Sequence, residues 1–369
     1  MDDRELNRAL LARQGLLERI DAPLDEALER IGAVQAQSWP AAAVALWTRV
    51  ADFTPERLYA ALDDGALVTG LVHRGTVHLM SAREHPLYAG VLEASGQADP
   101  WRTKAERGKD AAKLRPAIAK AAKGKVLGAK DVAELAEAWV AEHPDAIPEE
   151  ELVKQRAVSW RTLLRGGDLV RVPSSGEWGP KAPDAVTGPP KVKAKGKALD
   201  AAVIAHLRAF GPAGADDVAT WIGWRAGPVR EAIERVAGDL EELEQGKRTL
   251  YDVRDGARPG ADTEAPPRYL AAFDSAILAY APKRRSRLVP DGTFEKIYNK
   301  ANLQIRPTFL LDGFVAGTWS TEVKGKKATL TFRPFARLPR GAKGALTDEG
   351  EALLAGVHPK ATNRAVKQG

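Results

Sequence analysis

The amino-acid sequence predicts an α+β protein in which tandem winged helix-turn-helix modules surround a concave channel and a β-rich domain follows. Three observations predict this fold. Residues 199–255 read as three helices followed by a hairpin, and the same order of elements recurs over residues 115–181. Residues 5–95 begin with two amphipathic helices, and alternating apolar residues after Ile305 predict β-strands.

The module over residues 199–255 has the clearest pattern. Its first helix is stopped by Gly211-Pro212, and its third helix begins at Gly227-Pro228. Two short strands then flank the basic turn Gly246-Lys247-Arg248. Three helices and a hairpin with a basic tip are the elements of a winged helix, a fold that places a helix and a wing on DNA. The alternative is a winged helix that serves protein contacts or acts as a scaffold.

The earlier modules repeat this order less clearly. Over residues 115–181, the predicted helices lie near Pro116–Lys123, after Asp131 and from about Glu149 to Leu164. A hairpin is predicted next, with strands at residues 168–172 and 177–180. In the first module, Thr54-Pro55-Glu56 is a helix start signal, because Thr54 can cap the helix and Pro55 suits its first position.

The C-terminal region changes to a β pattern. Its predicted strands are Ile305–Leu311, Phe314–Val323 and Ala328–Pro334, joined by tight turns at Asp312-Gly313 and Lys324-Gly325-Lys326-Lys327, with a last helix around Asp348–Ala355. Lysine- and proline-rich stretches at 187–197 and 256–267 read as linkers. The predicted domains are therefore residues 1–112, 113–190, 197–256 and 266–369.

The composition narrows the classes of function. The chain has 369 residues, no cysteine and six scattered histidines. It therefore lacks the thiolates of a redox or zinc site and the histidine spacing of a metal site, so no metal and no cofactor is expected. Neither a signal-peptide pattern nor an apolar run of roughly 18 residues is present, which predicts a cytoplasmic protein without membrane contact. No dimerisation helix stands out, and a monomer is expected.

Positive charge is concentrated in four clusters. The net charge is +6, and ten lysines and arginines lie between Arg102 and Lys130, opposed by Glu106 and Asp110. The other clusters are Lys191/Lys193/Lys195/Lys197, Lys283/Arg284/Arg285/Arg287 and Lys324/Lys326/Lys327. One such run is usually a solvated face, whereas four on a basic chain favour a polyanionic partner, most simply nucleic acid.

Gln35-Ala36-Gln37 is the candidate catalytic motif. The two glutamines follow the apolar run Ile31–Val34, which reads as the end of a helix. An ordered glutamine loses rotamer entropy and its amide needs hydrogen-bond partners. The pair therefore either caps a structural element or holds something polar, such as a water molecule or a nucleic acid.

Together with companion motifs, this stretch resembles the bacterial winged-helix DNA glycosylases related to the azinomycin-resistance enzyme AlkZ and their YcaQ-like relatives. The companion motifs are Leu46-Trp47, His73-Arg74-Gly75-Thr76-Val77-His78-Leu79, Ala272-Phe273-Asp274, Arg306-Pro307-Thr308 and Asp312-Gly313-Phe314-Val315-Ala316-Gly317-Thr318-Trp319. The resemblance runs from residue 5 to about 356. The chain departs from it at Arg284, where relatives often carry an acidic residue.

The resemblance implies a DNA-binding channel and a monofunctional glycosylase that releases N7-alkylated purines, including bulky natural-product adducts, from double-stranded DNA. It also implies that Gln35 and Gln37 are catalytic. Glutamine is a poor base, but an N7-alkylguanine already carries positive charge and leaves without protonation. Two amides can then suffice if they position water and direct their dipoles at the developing sugar cation. Gln37 is assigned to hold the water molecule. Gln35 is assigned either to orient Gln37 or to contact the sugar.

Further residues are candidates for DNA contact. They are Trp39, His73, Arg74, His78, Lys283, Arg284, Arg285, Lys324, Lys326 and Lys327. The basic turn at Lys324/Lys326/Lys327 and the basic loop at 283–287 can each either probe a DNA duplex or serve as a solubilising turn. Trp39 can instead belong to the hydrophobic core. Thr76 and His78 can instead form hydrogen bonds to backbone groups inside the first module. Asp274 is interpreted as a turn or cap residue.

Two rival functions stay open at this point. One is a non-catalytic winged-helix DNA-binding protein such as a transcriptional regulator, and the other is a scaffold with an inert glutamine pair. A regulator usually brings a dimerisation element, which the sequence does not show clearly. The preferred prediction is a glycosylase for DNA repair or for self-resistance to a genotoxic metabolite.

Overall fold

The computed structural model describes residues 1–97, 99, 101, 111–192, 197–301 and 303–369. Six residues of the predicted basic clusters, Arg102, Lys104, Arg107, Lys109, Lys193 and Lys195, lie outside the described residues. Within the described part, no helix is long and apolar enough to cross a membrane.

The described chain alternates helices and short strands. The helices are α1 (Asp3–Arg13), α2 (Leu24–Ile31), α3 (Trp39–Arg49), α4 (Pro55–Asp63), α5 (His85–Ala94), α6 (Leu114–Ala121), α7 (Ala129–Glu142), α8 (Glu149–Ala157), α9 (Ala198–Phe210), α10 (Ala215–Ile222), α11 (Ala226–Arg235), α12 (Ser275–Leu278), α13 (Phe294–Ile297) and α14 (Ala342–Val357). The strands are β1 (Val34–Gln35), β2 (Leu67–Leu71), β3 (Val77–Ser81), β4 (Val170–Val172), β5 (Ala185–Thr187), β6 (Leu240–Gln245), β7 (Arg248–Val253), β8 (Arg268–Leu270), β9 (Tyr298–Asn299), β10 (Gln304–Ile305), β11 (Thr308–Leu311), β12 (Phe314–Lys324), β13 (Lys327–Pro334) and β14 (Asn363–Gln368).

The prediction that the glutamine motif ends a helix is wrong. Helix α2 ends at Ile31, and Gly32 follows it with a φ of 77°, in the left-handed region that glycine adopts without steric cost. The chain then turns into strand β1, which pairs antiparallel with β3. Gln35 therefore belongs to a sheet, where side chains alternate between the two faces.

A five-stranded sheet joins the first two predicted modules. Its strand order is β1-β3-β2-β4-β5, with Thr69 of β2 opposite Arg171 of β4. The strand predicted at residues 177–180 is wrong, because the partner of β4 is β5 at Ala185–Thr187. Helices α6, α7 and α8 enclose a separate hydrophobic core around Ile118 and Leu163. The sheet thus continues across the predicted boundary at residue 112.

The predictions for residues 199–255 are confirmed at the level of elements. Helices α9, α10 and α11 are followed by the hairpin β6–β7, whose register pairs Gln245 with Arg248 across Gly246. Gly246 has a φ of 59°, which the tight turn requires. Val229 and Ile233 are buried on one face of α11, as the spacing predicts.

The C-terminal region forms a second five-stranded sheet in the order β14-β13-β12-β11-β8. The turn between β11 and β12 has Asp312 at a φ of 47° and Gly313 at 82°, in agreement with the predicted hairpin. Strand β14, parallel to β13, was not predicted. Helix α14 and the N-terminal helix α3 bury their apolar faces in one core with this sheet.

Buried ion pairs tie distant parts of the chain together. Arg13 of α1 donates to Asp252 of β7 at 2.6 and 2.7 Å, and Arg49 of α3 donates to Asp274 at 2.6 and 3.1 Å. Asp274 also caps α12 by accepting from the Ala276 amide, which agrees with its interpretation as a cap. The predicted domain boundaries remain predictions. Both ion pairs join residues on opposite sides of these boundaries.

Candidate active site

The register between β1 and β3 determines which way the glutamine motif faces. Val34 lies opposite Leu79 and Gln35 lies opposite His78. Val34, Ala36 and Leu79 belong to the hydrophobic core. Because directly paired residues of an antiparallel sheet share a face, Gln35 lies on the same face as His78. Gln37 lies two residues further on, in the bend that follows β1.

The two glutamines differ in exposure. Gln35 is 7% exposed, whereas Gln37 is an exposed residue just before α3. The Gln37 Oε1 accepts a hydrogen bond from the Val77 amide at 3.5 Å, which is long and therefore weak. The backbone is held more firmly, since the Ala36 amide donates to the Val77 carbonyl at 2.8 Å. The Gln37 side chain is thus attached to a fixed backbone and is accessible to a ligand.

His73 and His78 are buried, and His78 lies directly opposite Gln35 in the sheet. Their side chains are buried, with ring centroids 5.2 Å apart, and His73 also packs against Tyr88 and Trp221. Burial lowers the pKa of His78 to about 3 and the pKa of His73 well below its ordinary value. Both rings are therefore neutral near pH 7 and pack with Trp221 of α10. The predicted contact of His73 and His78 with DNA stays a prediction.

Arg74 lies at the tip of the β2–β3 loop and is partly exposed. Its φ of 54° places it in the left-handed region, followed by Gly75 at 63°. The guanidinium stacks 4.6 Å from the ring centroid of Trp221 and donates to the Trp221 carbonyl. Burial lowers the pKa of Arg74 to about 10, so it stays charged near pH 7. Its predicted contact with DNA stays a prediction.

Trp39 is part of an aromatic wall next to the motif. The ring is 5% exposed, its Nε1 donates to the Gly179 carbonyl at 2.8 Å, and it stacks on Trp178 at 5.6 Å. The hydrogen bond and the stacking fix the indole in place. Trp178 was missed in the sequence analysis, where residues 177–180 were predicted as a strand.

The two basic loops differ in how much charge they present. On the β12–β13 hairpin, Lys324, Lys326 and Lys327 are all exposed, and Lys324 pairs with Glu322 at 2.6 Å. The other loop, Pro282–Arg287, is a 3₁₀ turn in which Lys283 and Arg284 are exposed. There, Arg285 is partly buried over the ring of Phe294. The hairpin tip presents the more accessible charge.

Four buried histidines make folding sensitive to acid. Burial lowers the pKa of His206 from 6.5 to about 4, and its Nε2 donates to the Ala279 carbonyl at 3.0 Å. The unfolded chain takes up this proton near pH 6.5 and the folded chain near pH 4. Stability is therefore present above pH 6.5 and is lost as the pH falls towards 4, by about 2 kcal/mol at pH 5 for this histidine.

We expect His206→Gln to reduce this acid sensitivity, because glutamine can keep the donor to the Ala279 carbonyl but does not titrate. The measurement is the thermal midpoint at pH 7.5 and at pH 5.0. The wild-type midpoint should fall further than that of the variant. Parallel falls in the two proteins would show that His206 contributes nothing to the acid response.

Comparison with known proteins identifies the family. The profile of DNA glycosylases described as AlkZ-like matches residues 28–355, which is most of the chain. The chain belongs to the AlkZ-like DNA glycosylase family. An AlkZ-like DNA glycosylase is a repair enzyme that hydrolyses N-glycosyl bonds in DNA, so the rival prediction of a non-catalytic regulator is wrong.

A sequence comparison and a structural comparison agree with the AlkZ-like assignment. An interstrand DNA cross-link repair glycosylase of Streptomyces sahachiroi is 26% identical over 353 residues, covering 89% of this chain and 90% of the relative. The solved structure of the Streptomyces sahachiroi DNA glycosylase AlkZ superimposes with a TM-score of 0.76 at 21% identity, over the full length of both chains. The structural likeness confirms the α+β class. Within the described part of this AlkZ-like chain, no cluster of side chains could hold a metal ion.

Proposed function

We propose that this AlkZ-like glycosylase hydrolyses the N-glycosidic bond of N7-alkylated guanine in double-stranded DNA, acting as a monomer. The observation that carries the proposal is the exposed Gln37 side chain in the bend that follows Gln35 on the edge strand β1. The motif and its neighbours from Val34 to Pro40 contain no carboxylate or other acid. A site of this kind suits a leaving group that needs no proton.

The roles of the two amides follow from their exposure. Gln37 can hold a water molecule through its amide because the 3.5 Å hydrogen bond from Val77 costs little to break. Gln35, nearly buried beside it, orients Gln37 or contacts the sugar. Their carbonyl dipoles stabilise the cation that develops on the sugar, and the cationic base departs without protonation.

The proposal includes a DNA-binding channel made of three winged-helix modules, and the order of elements in two segments supports it. Helices α9 to α11 with the hairpin β6–β7 have the element order of such a module, and α6 to α8 with β4–β5 resemble it. The β12–β13 hairpin is the element we assign to probing the duplex, since its three tip lysines are exposed. Probing by a hairpin would suit bulky adducts, whose bases are difficult to flip. The repair of interstrand DNA cross-links, for which the Streptomyces sahachiroi relative is named, favours such lesions.

The test of this function uses a duplex that contains N7-methylguanine. Purified protein should release the base and leave an abasic site, which alkali converts into a strand break. A second duplex with a bulkier N7 adduct tests the range of the substrate. Absence of strand breaks on both duplexes would contradict the proposed substrate while leaving the family assignment intact.

We expect the triple variant Lys324→Gln/Lys326→Gln/Lys327→Gln to bind duplex DNA more weakly and with less dependence on salt. Each lost phosphate contact reduces the slope of log K against log salt concentration by about 0.9, so three contacts reduce it by about 3. The measurement is a titration of fluorescent duplex at several salt concentrations. Lys343→Gln, at an exposed lysine of α14, is the control. An unchanged slope in the triple variant would remove the hairpin from the interface.

A further inference from the structure

The sheet places one side chain directly beside the His78 ring, and that side chain is Gln35. The Ala36 amide donates to the Val77 carbonyl at 2.8 Å, so the next pair along, Gln35–His78, is a non-hydrogen-bonded pair of the antiparallel ladder. Side chains approach most closely in such pairs, with Cβ atoms about 4.5–5.5 Å apart. On its other flank, His78 lies opposite Gly70 of β2, which has no side chain.

The hydrogen bond made by His78 determines which ring nitrogen carries the proton. Its Nδ1 lies 2.9 Å from the Thr76 carbonyl oxygen. A carbonyl oxygen can only accept, so Nδ1 carries the hydrogen and donates it. Burial lowers the pKa of His78 to about 3, which keeps the ring neutral near pH 7. A neutral imidazole protonated at Nδ1 has a free lone pair at Nε2, so the His78 Nε2 is an acceptor.

This acceptor and the amide of Gln35 are both without partners. The His78 Nε2 is buried and has no hydrogen-bond partner among the described residues. A buried acceptor left unpaired costs free energy, and most such groups in folded proteins are paired. The Gln35 side chain, nearly buried, also makes no hydrogen bond within the part of the chain that the structure describes. Its NH₂ group is the donor that the His78 lone pair needs.

Other polar atoms of the same buried region compete less well for this lone pair. Three of them also lack partners in the described structure, namely His73 Nε2, Arg74 Nη2 and His85 Nε2. Arg74 is the strongest competitor, because all its nitrogens are donors. Its guanidinium, however, is stacked on Trp221 and donates to the Trp221 carbonyl. The Gln35 amide has no such bond to give up, and the register places it next to the ring.

We propose that His78 is a positioning residue whose Nε2 accepts a hydrogen bond from the Gln35 NH₂ group and so turns the Gln35 carbonyl oxygen towards the sugar. The proposal rests on the proposed function and specifies how the glutamine dipole is oriented. An amide has a donor end and an acceptor end, and only its oxygen end stabilises a developing cation. The bond is not formed in the structure. Hydrogen bonds of active sites are often long without substrate and tighten when substrate binds.

The test compares substitutions at two buried histidines. His78→Phe keeps a flat ring next to Trp221 but removes the acceptor. His78→Gln keeps an acceptor oxygen beside Gln35 and a donor for the Thr76 carbonyl. His85→Phe is the matched control, because His85 is equally buried and its Nε2 is also unpaired, but it is not paired with Gln35. The quantities measured are the single-turnover rate constant for N7-methylguanine release at saturating protein and the Kd for the duplex.

We expect His78→Phe to lower the rate constant about tenfold to a hundredfold while the Kd stays within about twofold, because the change acts on a dipole that serves the transition state. His78→Gln should recover most of this loss, since it restores the acceptor. His85→Phe should have a rate constant close to that of the wild type. A rate constant measured at saturating protein does not depend on the amount of folded protein, so a modest loss of stability does not imitate the effect.

A double-mutant cycle tests whether His78 acts through Gln35. Adding His78→Phe to Gln35→Ala should lower the rate constant no further than Gln35→Ala alone, because the amide to be oriented is gone. A purely structural role of His78, or a bond to Arg74, would lower the rate by the same factor in both backgrounds. That result, or equal rate constants in His78→Phe and His85→Phe, would overturn the proposal. If the wild type released no N7-methylguanine, the proposed function itself would fail, which is a distinguishable result.

Discussion

Replacing Gln37 by alanine is expected to lower the rate of N7-methylguanine release about 10²- to 10³-fold, the effect found when one preorganised dipole is removed from a transition state. The change should act on the chemical step. Gln37 is exposed and makes one long hydrogen bond to Val77 in the described structure, so its removal costs the fold little. The affinity for duplex DNA and the thermal midpoint should therefore stay close to those of the wild type.

Single-turnover kinetics with excess enzyme give the rate of the chemical step directly. Gln368→Ala is a matched control, because Gln368 is an exposed glutamine of the C-terminal strand β14. An unchanged rate in Gln37→Ala would remove Gln37 from the site. A rate lost together with DNA affinity would instead make Gln37 a binding residue.

The same chemistry predicts selectivity for charged bases. A neutral lesion such as uracil needs a proton or a strong base at some stage of its departure, and two amides supply neither. The wild type should thus release N7-methylguanine and leave uracil in place under identical conditions. Comparable release of the two bases would show that another group in the site donates a proton.

The strongly patterned elements could be predicted from the sequence, whereas their long-range pairing could not. The helices and hairpin of residues 199–255 and the turn at Asp312-Gly313 were predicted because caps, periodic apolar residues and turn signals are local. Val34-Gln35 was misassigned because a short apolar run fits a helix end and a buried strand equally well. Its partner strand, Val77–Ser81, lies more than forty residues away along the chain.

For the site, residue identity was easier to predict than exposure. The motif Gln35-Ala36-Gln37 could be found in the sequence, and the structure adds that Gln35 is buried and Gln37 is exposed. The sequence of the loop at His73 and Arg74 gives no sign that the histidines pack against Trp221, because that ring belongs to α10, almost 150 residues further on. Burial by a distant helix is a property of the tertiary fold.

Replacing Asp274 by alanine is expected to lower the free energy of unfolding by about 3–5 kcal/mol, because it leaves a buried arginine without its counter-ion. Arg49 and Asp274 are at most 1% exposed at their side chains and form two hydrogen bonds. The Arg49 guanidinium also donates to Gln14 of the chain's N-terminal part and to the Ala45 carbonyl. Removing Asp274 therefore weakens a junction between α3 and the C-terminal region, and the loss of its cap on α12 adds to the effect.

The measurement is thermal and urea unfolding, followed by circular dichroism. Asp200→Ala is the matched control, because Asp200 pairs with Arg235 in a more exposed setting, with side chains 18% and 37% exposed. Exposed pairs contribute about 0–1 kcal/mol, so this variant should unfold close to the wild type. A similar small loss in both variants would show that burial does not strengthen the Arg49–Asp274 pair. The double variant Arg49→Met/Asp274→Ala should recover part of the loss, since it removes the unpaired charge that makes the single change so costly.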